Sequence, residues 1–265
     1  DRYTSPQGYD LTQAEKFNMP ESLLEISGIA FYQGDGSKLY AIQDEDGKLF
    51  RQNWGVKKQV NTKFAPKGDY EDLAMINDQV FVLKSSGTIY GFQLNEMQKL
   101  GKEQVQEYKG LIPKGEYEGI YADQQKGLLY VLCKECKVDK KSDDVSGYLL
   151  RFDPATKNLS AAGTFKVNTK GLEKLGKSIK SALKPSALSR HPVNGDWYIL
   201  SSVNKILIIA TPDWKIKEAH RLSPSEFNQP EGMTFDKENN LYISNEGDDL
   251  SSGNVLKFLY HKTNK

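Results

Sequence analysis

A short motif recurs along this chain at intervals that fit one repeated structural unit. The stretch at residues 65–74 reads "APKGDYEDLA", and residues 112–121 read "IPKGEYEGIY". Related openings follow at Glu231-Gly232 and, in weaker form, at Ser27-Gly28 and Ser186. Each opening precedes a second apolar run, such as "LYVLCKE" or "LYISNEG", and then a third. Because turn-forming residues separate the runs, each unit predicts an antiparallel meander of three strands, with a fourth in the variable stretch that follows.

The spacing of these units predicts a β-propeller. The five units open at residues 27, 71, 118, 186 and 231, and four-stranded units of about 40–45 residues are typical of propeller blades. The longest interval contains two insertions, "ECKVDKKSDDVSG" and a stretch in which leucine and isoleucine recur at helical spacing. The sequence therefore predicts an all-β fold: a five-bladed β-propeller with a short helical insertion around 170–184. Six blades are the alternative.

The two ends of the chain are expected to meet in one blade. Propellers usually close by pairing strands from both ends, which removes the open edge of the sheet. We therefore expect residues 1–265 to form a single propeller domain, in which residues 1–20 supply the closing strand of the last blade.

The charge balance excludes some classes of partner. The chain has 36 basic and 35 acidic residues, a formal net charge of +1, so no nucleic-acid partner is expected. No apolar run approaches the length of a transmembrane helix. The chain begins at Asp1 rather than Met, which is consistent with the removal of a leader.

A propeller brings the residues that open its inner strands together around a central channel. By this argument Glu71, Glu118 and Glu231, with Glu246 from the end of a second strand, are the predicted metal ligands. Carboxylate and amide oxygens suit Ca²⁺ or Mg²⁺ rather than a soft metal. The remaining predicted ligand-binding residues of the channel are Ser27, Gln43, Asp44, Lys84, Lys134, Ser186, Ser201 and Asn245.

Two structural alternatives compete with this interpretation. The glutamates could accept backbone N–H bonds from a neighbouring blade and so fix the bend at each blade opening. Lys84 and Lys134 could pair with those glutamates instead of binding an anionic group.

The cysteines and the absence of known catalytic motifs restrict the kinds of site that the sequence predicts. Both cysteines, Cys133 and Cys136, lie in "CKEC", which fits a disulfide, two free thiols or half of a zinc site. Zinc is disfavoured because the three histidines have no ligand spacing. The chain has no G-x-S-x-G, phosphate-loop or HExxH motif, so no catalytic residue is predicted.

Several stretches resemble the SdiA-regulated family of bacterial proteins, which is related in style to NHL repeats. They include "LLEISGIAFYQGDGSKLYAIQDEDGKLF", "YEGIYADQQKGLLYVLCKE", "KPSALSRHPVNGDWYILSS" and "QPEGMTFDKENNLYISNEG". The resemblance runs from about Tyr9 to Phe258 and implies a propeller fold. Many members carry an export or lipoprotein leader, so it also implies a cell-envelope location: the periplasm, or attachment to the outer membrane only through a lipoprotein leader. Ser186 and Lys84 depart from the acidic or Asn residues of the other units.

The sequence leaves two possible functions. The first is a monomeric binding or scaffold protein for a small molecule, a glycan or a protein, with an acidic channel that holds a cation. The alternative is a metal-dependent hydrolase of the lactonase, esterase or phytase type, in which a channel cation polarises the substrate oxygen.

Overall fold

The computed structural model describes residues 3–177, 179 and 182–262, which form five four-stranded antiparallel sheets. The first strand, β1 (Glu15–Asn18), belongs to the last sheet. Blade 1 contains β2 to β5, at Ile26–Ala30, Lys38–Gln43, Lys48–Asn53 and Val60–Lys63. Blade 2 contains β6 to β9, at Tyr70–Ile76, Gln79–Lys84, Ile89–Gln93 and Val105–Tyr108. Blade 3 contains β10 to β13, at Gly115–Asp123, Leu128–Cys136, Asp144–Asp153 and Asn158–Asn168.

The last two blades follow the same order. Blade 4 contains β14 to β17, at Ala187–Arg190, Trp197–Ser201, Ile206–Ala210 and Ile216–Arg221. Blade 5 contains β18 to β20, at Pro230–Phe235, Leu241–Asn245 and Asn254–Phe258, together with β1. The inner strands β2, β6, β10, β14 and β18 each contact the inner strands of both neighbouring blades, so the sheets close into a ring. The prediction of a five-bladed propeller is confirmed.

The hydrophobic core is divided among the interfaces between blades. Five buried clusters each join two adjacent blades, and the largest buried side chain, Trp197, lies between blades 3 and 4. Burying one large apolar side chain contributes about 1.5–3 kcal/mol. The aromatic and β-branched runs of the repeats therefore stabilise the contacts between blades as well as the strands themselves.

The N-terminal segment completes blade 5. Strand β1 pairs antiparallel with β20, from Glu15 opposite Lys257 to Asn18 opposite Asn254. Just after it, the Met19 N–H donates to the Gly253 carbonyl at 2.8 Å. One sheet thus joins strands from near both ends of the chain.

The insertion contains the short helix that the sequence predicts. Helix α1 spans only Gly171–Lys174, and residues 178, 180 and 181 of the predicted helix lie outside the described residues. Gly176 has a φ of 66°, a left-handed conformation that ends helices. Leu172 and Leu183 still pack between blades 3 and 4. No helix in the described part of the chain is long and apolar enough to cross a membrane.

Candidate functional site

The three glutamates predicted from the repeated motif occupy equivalent positions in three blades. Near the start of β6, β10 and β18, one residue has no partner on the second strand of its blade, which forms a β-bulge. The unpaired residues are Glu71, Glu118 and Glu231. In blade 1 the same interruption contains Ser27 and Gly28. A bulge bends the strand and changes the direction of its side chain, so the repeated motif encodes a repeated bulge.

Blade 4 has a serine, Ser186, in place of a glutamate just before its inner strand β14. Strand β14 pairs in regular register from Ala187 onward. Ser186, which precedes it, is buried; its N–H donates to the Leu200 carbonyl, and its Oγ accepts the Ser202 N–H, both at 2.7 Å. A glutamate therefore occupies this position in blades 2, 3 and 5, and a serine stands there in blades 1 and 4.

These neighbours form an acidic cluster at one end of the channel, which we call the acidic mouth: Asp44, Glu71, Glu118, Glu231 and Glu246. Burial, assisted by the charges of Glu118 and Asp44, raises the pKa of Glu71 to about 8. Burial and the charge of Asp44 raise the pKa of Glu246 to about 7. Burial and the charges of Glu118 and Glu246 raise the pKa of Glu231 well above its usual value. Each carboxyl group thus disfavours ionisation of the others.

Lys134 supplies a cation inside the acidic mouth. It is itself unpaired in a bulge of β11, opposite the bulge of Glu118, and its Nζ lies 2.5 Å from Glu118 Oε1. Burial alone lowers the pKa of Lys134, but its hydrogen bond to Glu118 and the charges of Glu231 and Glu71 together raise it. Lys134 is therefore a charged ammonium group held among carboxylates.

A second lysine, Lys205, lies beside Glu231 and was not singled out from the sequence. Its Nζ donates to the Asn228 carbonyl oxygen. Burial lowers the pKa of Lys205, and the charge of Glu231 opposes that change. Lys84, in contrast, forms no ion pair in the part of the chain that the structure describes.

The link between blades that the glutamates could have made is made by Asp72. Its Oδ2 accepts the Ile120 N–H of the next blade at 3.0 Å, and its Oδ1 accepts the Leu73 N–H at 2.9 Å. Among the described residues, neither Glu71 nor Glu231 accepts a hydrogen bond on its carboxylate. The signal for Asp72 was present in the sequence, because blade 2 reads "YED" where blades 3 and 5 have a glycine after the glutamate.

Gly28 makes room for the Asp72 carboxylate. A Cβ at Gly28 would lie 2.3 Å from Asp72 Oδ1. Ser27 adds a hydrogen bond between blades 1 and 2, since its Oγ donates to the Tyr70 carbonyl at 2.9 Å. Ser27 therefore holds blades 1 and 2 together and does not present a free hydroxyl group to the channel.

Two other predicted channel residues make bonds within their own blades. Gln43 Oε1 accepts the N–H groups of Glu45 and Asp46, both at 2.7 Å, and so shapes a turn. Ser201 Oγ donates to the Lys184 carbonyl at 2.8 Å.

Asn245 differs from these residues because one of its polar atoms is unpaired. Its Nδ2 donates to Asn254 Oδ1 at 3.0 Å, whereas its buried Oδ1 has no hydrogen-bond partner among the described residues. Asn245 pairs with Pro230 and directly precedes Glu246, so this oxygen belongs to the same end of the channel. Several carboxylates and an unpaired amide oxygen form a donor set that fits Ca²⁺ or Mg²⁺.

The cysteines do not contribute metal ligands. Cys133 and Cys136 form a disulfide, with their Cα atoms 6.1 Å apart. Asp139 lies close to both sulfurs, but sulfurs bonded to each other offer no thiolate to zinc. Of the alternatives that the sequence left open, the disulfide is the one present.

Five radial sheets around a channel with one acidic end define a five-bladed β-propeller. Within that class, the chain belongs to the SdiA-regulated family, whose sequence model matches residues 5–249. A search of curated proteins finds no match.

Solved structures share the fold at low sequence identity. Glutaminyl cyclase from Myxococcus xanthus superposes with a TM-score of 0.58 at 12% identity, covering 94% of this chain and 96% of that one. PQQ-bound aldose sugar dehydrogenase from Streptomyces coelicolor gives 0.57 at 13% identity, over 97% and 100% of the two chains. A luciferin-regenerating enzyme gives 0.54 at 10% identity, over 93% and 95%. At these identities the likeness extends to the fold alone.

Proposed function

We propose that this protein is a ligand-binding propeller in which the acidic mouth binds one divalent cation, Ca²⁺ or Mg²⁺. The bound cation then coordinates oxygen atoms of the ligand, which is a small molecule, a glycan or a protein surface. One observation carries the proposal: equivalent bulges bring Glu71, Glu118 and Glu231 to the same end of the channel, beside Glu246. Carboxylates confined in this way repel one another unless protons or a cation compensate their charge.

The hydrogen bonds between blades support a binding role over a structural one. Asp72 and Ser27 join neighbouring blades near the axis, and Ser244 Oγ donates to the Ser27 carbonyl at 2.7 Å. Glu71 and Glu231 take no part in these bonds. Groups that are costly to bury and unnecessary for folding are typical of functional sites.

The disulfide supports a location in the cell envelope. Disulfides persist in oxidising compartments such as the periplasm and are rare in the cytosol. The Cys133–Cys136 bond therefore fits an exported protein, either free in the periplasm or held at the outer membrane through a lipoprotein leader.

Calorimetric titration of chelator-treated protein tests the cation site. We expect one Ca²⁺ or Mg²⁺ per chain and a higher melting temperature with the cation bound. Glu71→Gln and Glu231→Gln should each weaken binding by about 10-fold or more, because each removes a charged oxygen ligand. Glu103→Gln, at an exposed position on blade 2, is the matched control. Absence of binding, or equal affinity in all four proteins, would contradict the proposal.

The pKa values favour one second candidate, a hydrolase. Without a bound cation, burial and the charge of Asp44 raise the pKa of Glu246 to about 7, and a carboxyl group in this range can act as a general acid or base at neutral pH. In this version the cation polarises the substrate oxygen, and Glu246 transfers the proton. Turnover of p-nitrophenyl acetate, a simple lactone or a phosphate monoester that is lost in Glu246→Gln would establish it. Cation binding without turnover of any of these would leave binding as the function.

A further inference from the structure

The end of the channel opposite to the acidic mouth contains a cavity of about 340 Å³, which we call the basal cavity. Each inner strand begins near the acidic mouth, so the ends of all five inner strands surround this cavity. Its lining includes Ala30, Ala74, Ala122, Arg190 and Thr234, one from the end of each inner strand. The volume lies at the small end of the range for small-molecule pockets, roughly 300–1,000 Å³.

The basal cavity is positively charged. Arg190 and Lys237 line it, and neither forms an ion pair with a carboxylate in the described part of the chain. Asp236 also lines it, but hydrogen bonds occupy both of its carboxylate oxygens. Its Oδ1 accepts the Asn240 N–H at 2.9 Å, and its Oδ2 accepts the Tyr242 hydroxyl at 2.8 Å. Asp236 keeps its negative charge, so two cations and one carboxylate line the cavity, a net charge of 2 − 1 = +1.

Arg190 is held in a fixed orientation with part of its hydrogen-bonding capacity unused. Its Nε donates to the Gly195 carbonyl at 2.8 Å, and its guanidinium carbon lies 4.9 Å from the centre of the Trp197 ring. Its Nη atoms make no hydrogen bond within the described residues. A planar guanidinium group with free Nη donors matches the two oxygens of a carboxylate.

The rest of the cavity combines apolar walls with backbone donors. Ala30, Ala74, Ala122 and Pro192 are among the residues that line it, whereas the side chains of Ile29, Leu73, Ile120 and Met233 are buried in the clusters between blades. Each inner strand is the edge strand of its sheet, so its channel-facing N–H groups have no neighbouring strand; Asp72 accepts those of Leu73 and Ile120. Such a site can take both a negatively charged head and a short hydrocarbon body.

We propose that the basal cavity binds a small organic monocarboxylate, with its carboxylate on Arg190, Lys237 at the rim and its apolar body between the inner strands. This site is independent of the acidic mouth, because different residues at the other end of the channel form it. The basal cavity is proposed to bind an anion, whereas the acidic mouth is proposed to bind a cation.

The test uses hexanoate as the probe and hexanamide as its uncharged counterpart of the same shape, in calorimetric titrations of the full chain. We expect hexanoate to bind once per chain and hexanamide to bind at least about 10-fold more weakly. Arg190→Met should weaken hexanoate binding by about 10-fold or more, and Lys237→Met by about 3-fold, because it removes only an exposed charge. Arg151→Met, an exposed arginine on blade 3, is the control.

Several outcomes would overturn the proposal. They are no hexanoate binding, equal binding of hexanamide, or full binding by Arg190→Met. Inorganic phosphate that binds as tightly as hexanoate would indicate a simple anion site without recognition of the hydrocarbon. If Arg190→Met does not fold, full binding by the exposed variant Lys237→Met would count against the site. Glu231→Gln should leave hexanoate binding unchanged. The proposal of a carboxylate site in the basal cavity and the proposal of a cation site in the acidic mouth are therefore tested independently.

Discussion

The ammonium group of Lys134 lies 2.5 Å from the carboxylate of Glu118, and both residues are unpaired in bulges of adjacent strands. The protein therefore places its own cation within the acidic mouth. The Cys133–Cys136 disulfide brackets Lys134 in the sequence and constrains the end of β11 that carries it. A divalent cation in the mouth has to compete with this ammonium group or share the carboxylates with it.

Removing the Lys134 charge should strengthen cation binding and weaken the cation-free fold. For Lys134→Met we expect about 10-fold tighter Ca²⁺ binding, because Glu118 becomes available as a ligand. Without Ca²⁺ at pH 8, the free energy of unfolding should fall by about 2 kcal/mol, since a largely buried carboxylate loses its partner. Calorimetry and urea denaturation measure the two effects. Lys109→Met removes an exposed pair with Glu107 and should change neither; an unchanged Ca²⁺ affinity in Lys134→Met would contradict the competition.

Stability without divalent cations should fall as the pH rises from 5 to 8. The pKa of Glu71 is raised to about 8 and that of Glu246 to about 7. The native state therefore holds protons that the unfolded chain releases above its usual carboxyl pKa of about 4.3. This contribution is complete below that pKa and is lost as the pH passes the native values. We expect a loss of about 2 kcal/mol between pH 5 and pH 8, after allowing for solvent screening.

Urea denaturation in chelator at pH 5, 6, 7 and 8 measures this slope. Glu71→Gln should flatten it because the amide does not ionise, and saturating Ca²⁺ should reduce it because the cation replaces the protons. Glu103→Gln should keep the wild-type slope. A free energy of unfolding that rises from pH 5 to pH 8 would contradict the prediction, because it would show that ionising the carboxyl groups of the acidic mouth does not destabilise the native state.

Asp72 should be one of the most sensitive polar residues of the fold. Asp72→Asn replaces one accepting oxygen by an amide donor that faces a backbone N–H, so a buried donor is left unsatisfied. We expect a loss of about 2–3 kcal/mol in the free energy of unfolding, measured by urea denaturation. The exposed Asp249→Asn is the matched control and should cost little. If both variants are equally stable, the Asp72 bond to Ile120 does not hold blades 2 and 3 together.

Tyr9 should be important for ring closure. It is buried, and its hydroxyl donates to the Asn239 carbonyl at 2.6 Å. Because His191 Nδ1 accepts the Val193 N–H, the other ring nitrogen carries the proton and donates to Tyr9 at 2.8 Å. Tyr9→Phe should cost about 1–2 kcal/mol, and Tyr9→Ala about 3–5 kcal/mol.

Thermal and urea unfolding of these variants test the closure, with Tyr3→Phe, at an exposed tyrosine, as the control. Deletion of residues 1–20 removes both Tyr9 and β1 and should lower the melting temperature sharply. An unchanged melting temperature after that deletion would mean that blade 5 does not need its fourth strand.

Much of the fold could be predicted because a blade is a local structure. Its strands follow one another along the chain, so apolar runs and turn residues are enough to count the sheets. The short helix of the insertion could be predicted from its leucine spacing, and the left-handed conformation of Gly176 follows its single turn. The glutamates could be identified because the same motif opens three blades. Asp72 was missed because its main partner, Ile120, belongs to the next blade.

The sequence by itself determined the number and order of the sheets, because pairing within a blade depends on residues that are close along the chain. Only the tertiary structure decided which side chains meet at the axis. Lys134 with Glu118, and Arg190 with Lys237 at the opposite end, depend on bulges and on the radial packing of the blades. These contacts join residues whose distance in space is set by the closed ring and not by their separation along the chain.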